Sequence, residues 1–192
     1  HSHLLPFDKS RFSSGHADAV NDEKSVRFLE AAKPDLIIQA GAGILKSNTF
    51  TLATKATINV HHGIAPEIRG IDSTFWCLYY GLRDKIGVTC HFIDETLDTG
   101  AVIVQEHLAT KATSFTDIQT ENYLLGRDVL LKSVDIIDKG GYKITSLGDV
   151  PSYYFGIVKP FQYYDLKKNN FQPIGNPADK AFKMKQKNVV MI

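Results

Sequence analysis

The stretch INVHHGIAPEIRG, residues 58–70, decides the reading of the fold. It closes a short β-rich run, Thr57 to Val60, by setting an asparagine and two histidines side by side. Alternate residues of a strand share a face, so Asn59 and His61 point one way while Ile58, Val60 and His62 point the other. A polar face at the end of an otherwise apolar strand makes sense at a carboxyl edge, which is where open α/β sheets take their ligands. Gly63 to Pro66 then read as a tight loop in which Pro66 fixes φ, and Arg69-Gly70 leads into the next helix.

Upstream, Leu36, Ile37 and Ile38 form a continuous apolar run, the pattern of a strand buried on both faces, and the run breaks into small residues at Ala40 to Gly43. Before it, Asn21 or Asp22 can cap a helix carried by Val26, Leu29 and Ala32 and ended by Pro34. Residues 48–54 read as a short helical or irregular segment. Downstream, Asp72 or Ser73 can cap a helix through Phe75, Trp76, Leu78 and Tyr79, with Gly81 as its stop. Ile86 to Ile93 is a strand with Val88, Cys90 and Phe92 on one face, and Ala101 to Gln105 is close enough to be its antiparallel neighbour. A long helix from about Thr116 to Ile137 offers Leu124, Leu125, Val129, Leu131 and Ile136 as a core face and ends at Gly140-Gly141. The alternation predicts an α/β fold with a mixed, mostly parallel sheet. From Tyr142 the chain changes character. Tyr153, Tyr154, Phe155, Phe161, Tyr163 and Tyr164 precede a lysine-rich end, a pattern that reads as aromatic packing on the main domain or as a substrate or dimer surface.

With 192 residues, 43% of them apolar, and a formal charge of +1, the chain can bury one real core. The balanced charge argues against gripping nucleic acid by bulk electrostatics. Cys77 and Cys90 are too few for a disulfide framework and read as reduced core residues. No apolar run approaches the length of a membrane span, and a cytoplasmic protein is expected.

The second informative stretch is HFIDETLDTGAVI, residues 91–103, two β runs around an acidic loop. Asp98-Thr99-Gly100 alone is an ordinary turn signature. His61, His62, His91 and Asp98 are of metal-ligand type, but none has the HxxxH helical spacing of a zinc protease and the adjacent histidines point apart, so no metal is expected.

Taken together, these stretches resemble the folate-dependent formyltransferases. NVHHGIAPEIRG is similar to that family's Asn-Ile-His-Pro-x-x-x-Pro-x-x-x-Gly pattern. HFIDETLDTGAVIVQE is similar to its Leu-Asp-x-Gly signature between two strands, and PDLIIQAGAGIL to the strand and loop before the first motif. The three blocks stand in order over roughly residues 34–108. The family includes glycinamide ribonucleotide, methionyl-tRNA and sugar-nucleotide N-formyltransferases and a formyltetrahydrofolate hydrolase. The resemblance implies a Rossmann-like domain and transfer of a formyl group from 10-formyltetrahydrofolate, without a metal, to an amine. It implies catalytic roles for Asn59, His61 and Asp98. Asn59 and a protonated His61 would donate to the oxyanion of the tetrahedral intermediate. Asp98 would orient His61, raise its pKa and relay the amine's proton. The folate head would meet the loop with Ala42, Gly43 and Leu45 and the turn with Asp94, Glu95 and Thr96. His62, which stands where the family has Pro or Ala, and Arg69 are candidates for touching the acceptor.

The expected acceptor is a small amine, most simply an amino sugar on a nucleotide. Nucleic acid and membrane are not expected partners, and the aromatic tail leaves a homodimer open. Only about thirty residues precede PDLII, so the family's first βαβ unit is expected to be missing from this chain. Residues 1–142 are read as the catalytic domain and 143–192 as an extension packing on it. Two rival readings stay open: hydrolysis of the same donor, and a non-catalytic α/β module that holds folate or nucleotide. A dehydrogenase is weakly suggested by GAGIL, which lacks GxGxxG.

Overall fold

The computed structural model of the chain describes residues 13–95, 98, 100–145, 148–176, 181–186 and 189–191. Helix α1 (Glu23–Ala32) starts at Asp22, whose side chain accepts from the Ser25 amide at 2.8 Å. Asn21, the other candidate cap, serves the next loop instead. Its amide donates to Ile44 O at 2.8 Å and accepts from the Lys46 N–H at 2.7 Å, tying residues 44–46 to the foot of α1. Strand β1 (Leu36–Gln39) follows, then α2 (Ser47–Phe50) and β2 (Ala56–His61). Residues 68–70, read from sequence only as the way into a helix, form the short strand β3 (Ile68–Gly70). Helix α3 (Ser73–Tyr79) and strands β4 (Gly87–Phe92) and β5 (Val102–His107) come next. Helix α4 (Phe115–Lys139) is capped by Ser114, which accepts from the Asp117 N–H, and ends at Gly140. The tail supplies β6 (Lys143–Thr145), β7 (Gly148–Phe155), α5 (Pro160–Lys168), β8 (Ala181–Gln186) and β9 (Val189–Met191).

The main sheet has the order β1-β2-β4-β5-β9-β6, and a second sheet has the order β3-β7-β8. The fold class is the α/β mixed sheet expected, but the main sheet is less parallel than the sequence suggested. Among the described strands β1/β2 and β5/β9 are parallel, while β2/β4, β4/β5 and β6/β9 are antiparallel. The short link from β4 to β5 permits only an antiparallel return. A further correction concerns β1. Among the described strands it is the outermost of the main sheet, and Ile38 is 45% exposed, so among the described residues its apolar run is not covered on both faces.

The described residues form two buried hydrophobic clusters, one of them on the main sheet. Ile58, Val88, Cys90 and Ile103 pack under Val129 and Ile137 of α4. The buried face of α4 is Ile118, Asn122, Gly126, Val129, Ser133 and Ile137. Leu124 and Leu131, expected in that face, are 52% and 62% exposed. Val129 is buried as expected, and Leu125 and Ile136 pack partly against the core, so the expected face holds in three of its five residues. The second core joins Ile68, Phe75, Trp76, Ile118, Phe155 and Leu166. Phe155 stacks on Trp76 and Tyr80 at centroid distances of 5.5 Å each, and Trp76 Nε1 donates to Gly156 O at 2.8 Å. The tail aromatics divide: Phe155 is core, while Phe161 and Tyr164 are exposed. Cys77 and Cys90 are free and buried, and burial pushes both thiols up.

Candidate active site

β2 carries Asn59 and His61 to its carboxyl end, where β1 and the loop after it face α3 and α4 across a cleft of about 850 Å³. The antiparallel register sets His91 of β4 directly opposite Asn59, so both project to the same face. Asp98 closes the group from the loop between β4 and β5. Its φ of 52° lies in the left-handed region, which Asp tolerates better than most residues.

Every polar group here has a partner that fixes its orientation. Asp98 Oδ2 accepts from the Gly70 N–H at 3.0 Å and lies 3.8 Å from His61 Nδ1. Asp98 Oδ1 lies 3.6 Å from His91 Nε2 and 3.5 Å from Asn59 Nδ2. His91 Nδ1 is 2.8 Å from Phe92 O, a carbonyl that can only accept, so this nitrogen carries the proton. Nε2 of His91 is then the acceptor for Asn59 Nδ2 at 3.3 Å. By the same argument His61 Nε2, 2.8 Å from Ile68 O, holds a proton, and its Nδ1 lone pair faces Asp98.

β3 makes this arrangement possible. It turns the Gly70 amide toward Asp98 and the Ile68 carbonyl toward His61. Gly70 has φ +94°, and a Cβ there would stand 2.0 Å from Phe155 O on the neighbouring strand β7. Gly63 leaves equally little room: an added Cβ would meet His61 Nε2 at 2.6 Å.

Burial pushes the Asp98 carboxyl up, but the His61 and His91 rings and the Gly70 N–H outweigh it and bring its pKa down to about 2. Asp98 is therefore a buried carboxylate at neutral pH. For His61 the expectation of a raised pKa is corrected. Burial lowers it below the usual 6.5, and Asp98 opposes this without reversing it. A buried imidazole loses more by giving up water for its charged form than one carboxylate at 3.8 Å returns.

The remaining sequence candidates fall in different places. Gly43 lines the large cleft, and with Leu45 and Asp94 it lines an adjoining cavity of about 50 Å³. Asn59 and Asp98 line both cavities. Ala42 and Glu95 are exposed and border neither, and Thr96 lies outside the described residues. His62 lines the large cleft against α4. Arg69 is not brought to the cleft. It is buried, donates from Nε to Ser152 Oγ at 3.1 Å and lies over Tyr154, whose ring does line the cleft. His91, considered in the sequence only as a metal-ligand type, is a full member of the group. The register Asn59↔His91 is what recruits it, and that register is set by strand pairing. Among the described residues no group of three His, Cys, Asp or Glu is disposed to hold a metal ion, and no helix is long and apolar enough to cross a membrane.

Residues 5–123 match the family model described as formyl transferase. Among curated relatives, the methionyl-tRNA formyltransferase of Syntrophus aciditrophicus (strain SB) is 32% identical over 121 residues, 62% of this chain and 38% of that protein. The GDP-perosamine N-formyltransferase of Brucella melitensis biotype 1 is 30% identical over 153 residues, 74% of this chain and 57% of that one. The chain thus spans well under two thirds of the length of either relative. Among solved structures, a sugar N-formyltransferase from Shewanella sp FDAARGOS_354 superposes with a TM-score of 0.60 at 21% identity, over 72% of this chain and 55% of that one. The formyltransferase PseJ from Anoxybacillus kamchatkensis, solved with UDP-4,6-dideoxy-4-formamido-L-AltNAc and tetrahydrofolate, gives 0.57 at 23% identity, over 76% and 75%. These structural likenesses carry the fold, and the family match carries the rest: the chain belongs to the folate-dependent formyl transferase family.

Proposed function

We propose that this chain carries the transfer site of an enzyme that moves a formyl group from 10-formyltetrahydrofolate to the primary amine of a small acceptor, such as an amino sugar on a nucleotide. The observation that supports this most is the position of Asn59 and Asp98 on the wall shared by two cavities. A two-substrate transfer needs its polar groups at such a junction, because holding both reactants in register supplies a large part of the rate. In this reading the donor's head lies toward Gly43, Leu45 and Asp94, with Ala42, Glu95 and Thr96 in the flanking loops. The amine enters through the large cleft.

Attack of the amine on the formyl carbon leaves negative charge on the former carbonyl oxygen. Asn59 supplies an amide N–H to that oxygen. His61 acts as base: its neutral Nδ1 takes a proton from the attacking amine. The imidazolium so formed is held between Ile68 O at Nε2 and the Asp98 carboxylate at Nδ1, and it gives the proton to N10 of the folate as the oxyanion collapses and the formyl C–N10 bond breaks, releasing tetrahydrofolate and the N-formyl amine. Asp98 thus stabilises a charge that arises during the reaction rather than one present in the empty site. His91 is a positioning residue, since it accepts from Asn59 while its own proton is fixed by Phe92 O. Arg69 acts through Tyr154. The division into a catalytic part, residues 1–142, and an extension, 143–192, is supported by β7 pairing with β3 and by Phe155 packing on Trp76.

Donor turnover by the purified full-length protein tests this reading. Deformylated folate should accumulate with an amine present and not without one. Equal release with and without amine would identify a hydrolase. Folate binding without any turnover would identify a binding module.

A further inference from the structure

The wall that the two cavities share includes a loop with little structure of its own. Gln39, Gly43 and Ile44 line both cavities, and Leu45 lines the smaller one. Between the end of β1 at Gln39 and the start of α2 at Ser47 the backbone forms neither helix nor strand. Gly41 and Gly43 have φ of +70° and +79°, and a Cβ at either would meet nothing within 4 Å. Ile44 is 66% exposed. Packing therefore does little to set the path of residues 41–44.

Side-chain hydrogen bonds set it instead, and most of them come from the foot of α1. Asn21 Nδ2 donates to Ile44 O at 2.8 Å, and Asn21 Oδ1 accepts from the Lys46 N–H at 2.7 Å. A carbonyl can only accept and a backbone amide can only donate, so the Asn21 amide fits in one orientation. Thr49, which is 1% exposed, donates from Oγ1 to the same Oδ1 at 3.1 Å, and Asn48 Nδ2 donates to the Asn21 backbone carbonyl at 3.3 Å. Within the loop, Gln39 Nε2 donates to Gly43 O. One asparagine thus grips the chain on both sides of Leu45, which is 5% exposed.

We infer that Asn21 is a positioning residue for the formyl donor: it holds residues 44–46, and through them the wall against which the folate head lies. This rests on the reading that the donor's head lies toward Gly43, Leu45 and Asp94. Asn21 itself lines neither cavity. Its side chain works on Ile44, Lys46 and Thr49, not on the transfer group at Asn59, His61 and Asp98. Its loss therefore belongs in donor binding rather than in the chemical step. Asn21→Asp is the sharpest probe. It has the same shape and keeps the acceptor for the Lys46 N–H and Thr49 Oγ1, but it turns a carboxylate oxygen on Ile44 O, which pushes the loop away.

The test is a calorimetric titration of the full-length protein with 5-formyltetrahydrofolate, a donor analogue that does not react, in wild type, Asn21→Asp and Asn21→Ala. Near-ultraviolet circular dichroism confirms the native fold of each. Both variants should bind the analogue at least about tenfold more weakly, and Asn21→Asp no better than Asn21→Ala although it keeps one more hydrogen bond. Transfer from 10-formyltetrahydrofolate to a 4-amino-4,6-dideoxyhexose nucleotide is followed in parallel. The donor KM should rise by a similar factor, while kcat at saturating donor and the acceptor KM stay within about twofold. A merely structural role would lower the active fraction and leave the donor KM where it was. Unchanged analogue binding in the folded variants, a loss confined to kcat or to the acceptor KM, or no binding of the analogue by wild type would overturn the inference. Transfer by wild type with donor binding unchanged in both variants would remove the role of Asn21 and leave the transferase reading. Weakened binding in the variants, with no transfer to any amine by wild type, would do the reverse.

Discussion

At the residue scale the account turns on Asp98 and His61. The Asp98 carboxyl titrates near 2 in the fold against an ordinary 3.8, so the folded state favours its ionised form. That stability is full above pH 4 and is lost as the pH falls through 2, and it amounts to about 2 kcal/mol. Acid titrations of unfolding free energy should therefore show wild type losing about that much more than Asp98→Asn between pH 5 and 2. Parallel curves would contradict the assignment. His61 behaves oppositely. Its folded pKa lies below 6.5, so the neutral base persists below that pH. The acid limb of kcat/KM should lie below 6.5, and activity that instead falls as the pH rises through that range would mean that His61 works as the cation. Asn59, His61 and Asp98 were picked out in the sequence through the resemblance to the family's two signatures, and the fold brings the three side chains together. The sequence did not make the direction of the His61 shift legible. Burial decides that, and burial comes from β3 and α3, whose Ile68 carbonyl and Ser73 hydroxyl close over the ring.

At the element scale β3 is the critical piece. It spans three residues, yet it delivers the Gly70 amide to Asp98 and the Ile68 carbonyl to His61. Gly70→Ala should cost more than about 2 kcal/mol in urea unfolding, since it places a Cβ against Phe155 O at a positive φ. It should also lower activity in the folded fraction, by moving the amide off Asp98. A stable, fully active variant would remove β3 from the account. Strand β3 was missed in the sequence because its pairing partner lies more than eighty residues away in the tail, and three residues carry no period of their own. The long helix was legible in extent and in part of its buried face, Val129 with Leu125 and Ile136, but not in the exposure of Leu124 and Leu131. Ile118 is fully buried and Leu131 is mostly exposed, so Ile118→Ala should cost about 2–5 kcal/mol and Leu131→Ala about 0.5 or less. Urea unfolding of the pair checks the corrected face.

At the scale of the whole molecule, the tail is bound into the body that holds the site. β7 pairs with β3, Phe155 stacks in the aromatic core and Tyr154 reaches the cleft wall. Phe155→Ala should therefore destabilise the chain by about 3–5 kcal/mol and also lower transfer activity at temperatures where it stays folded, because its strand backs Gly70. Loss of stability with unchanged activity would separate the tail from the site. The fold class was readable from alternating strands and helices. The outermost place of β1 among the described strands was not, because an apolar run looks the same whatever covers it. The most direct test of the central claim is single-turnover transfer of a carbon-13 formyl group from the folate donor to an amino-sugar nucleotide, followed by NMR. The account predicts an N-formyl product with wild type and a loss of at least about a hundredfold in Asn59→Ala, His61→Ala and Asp98→Asn, each confirmed as folded. Undiminished transfer in any of the three would contradict it.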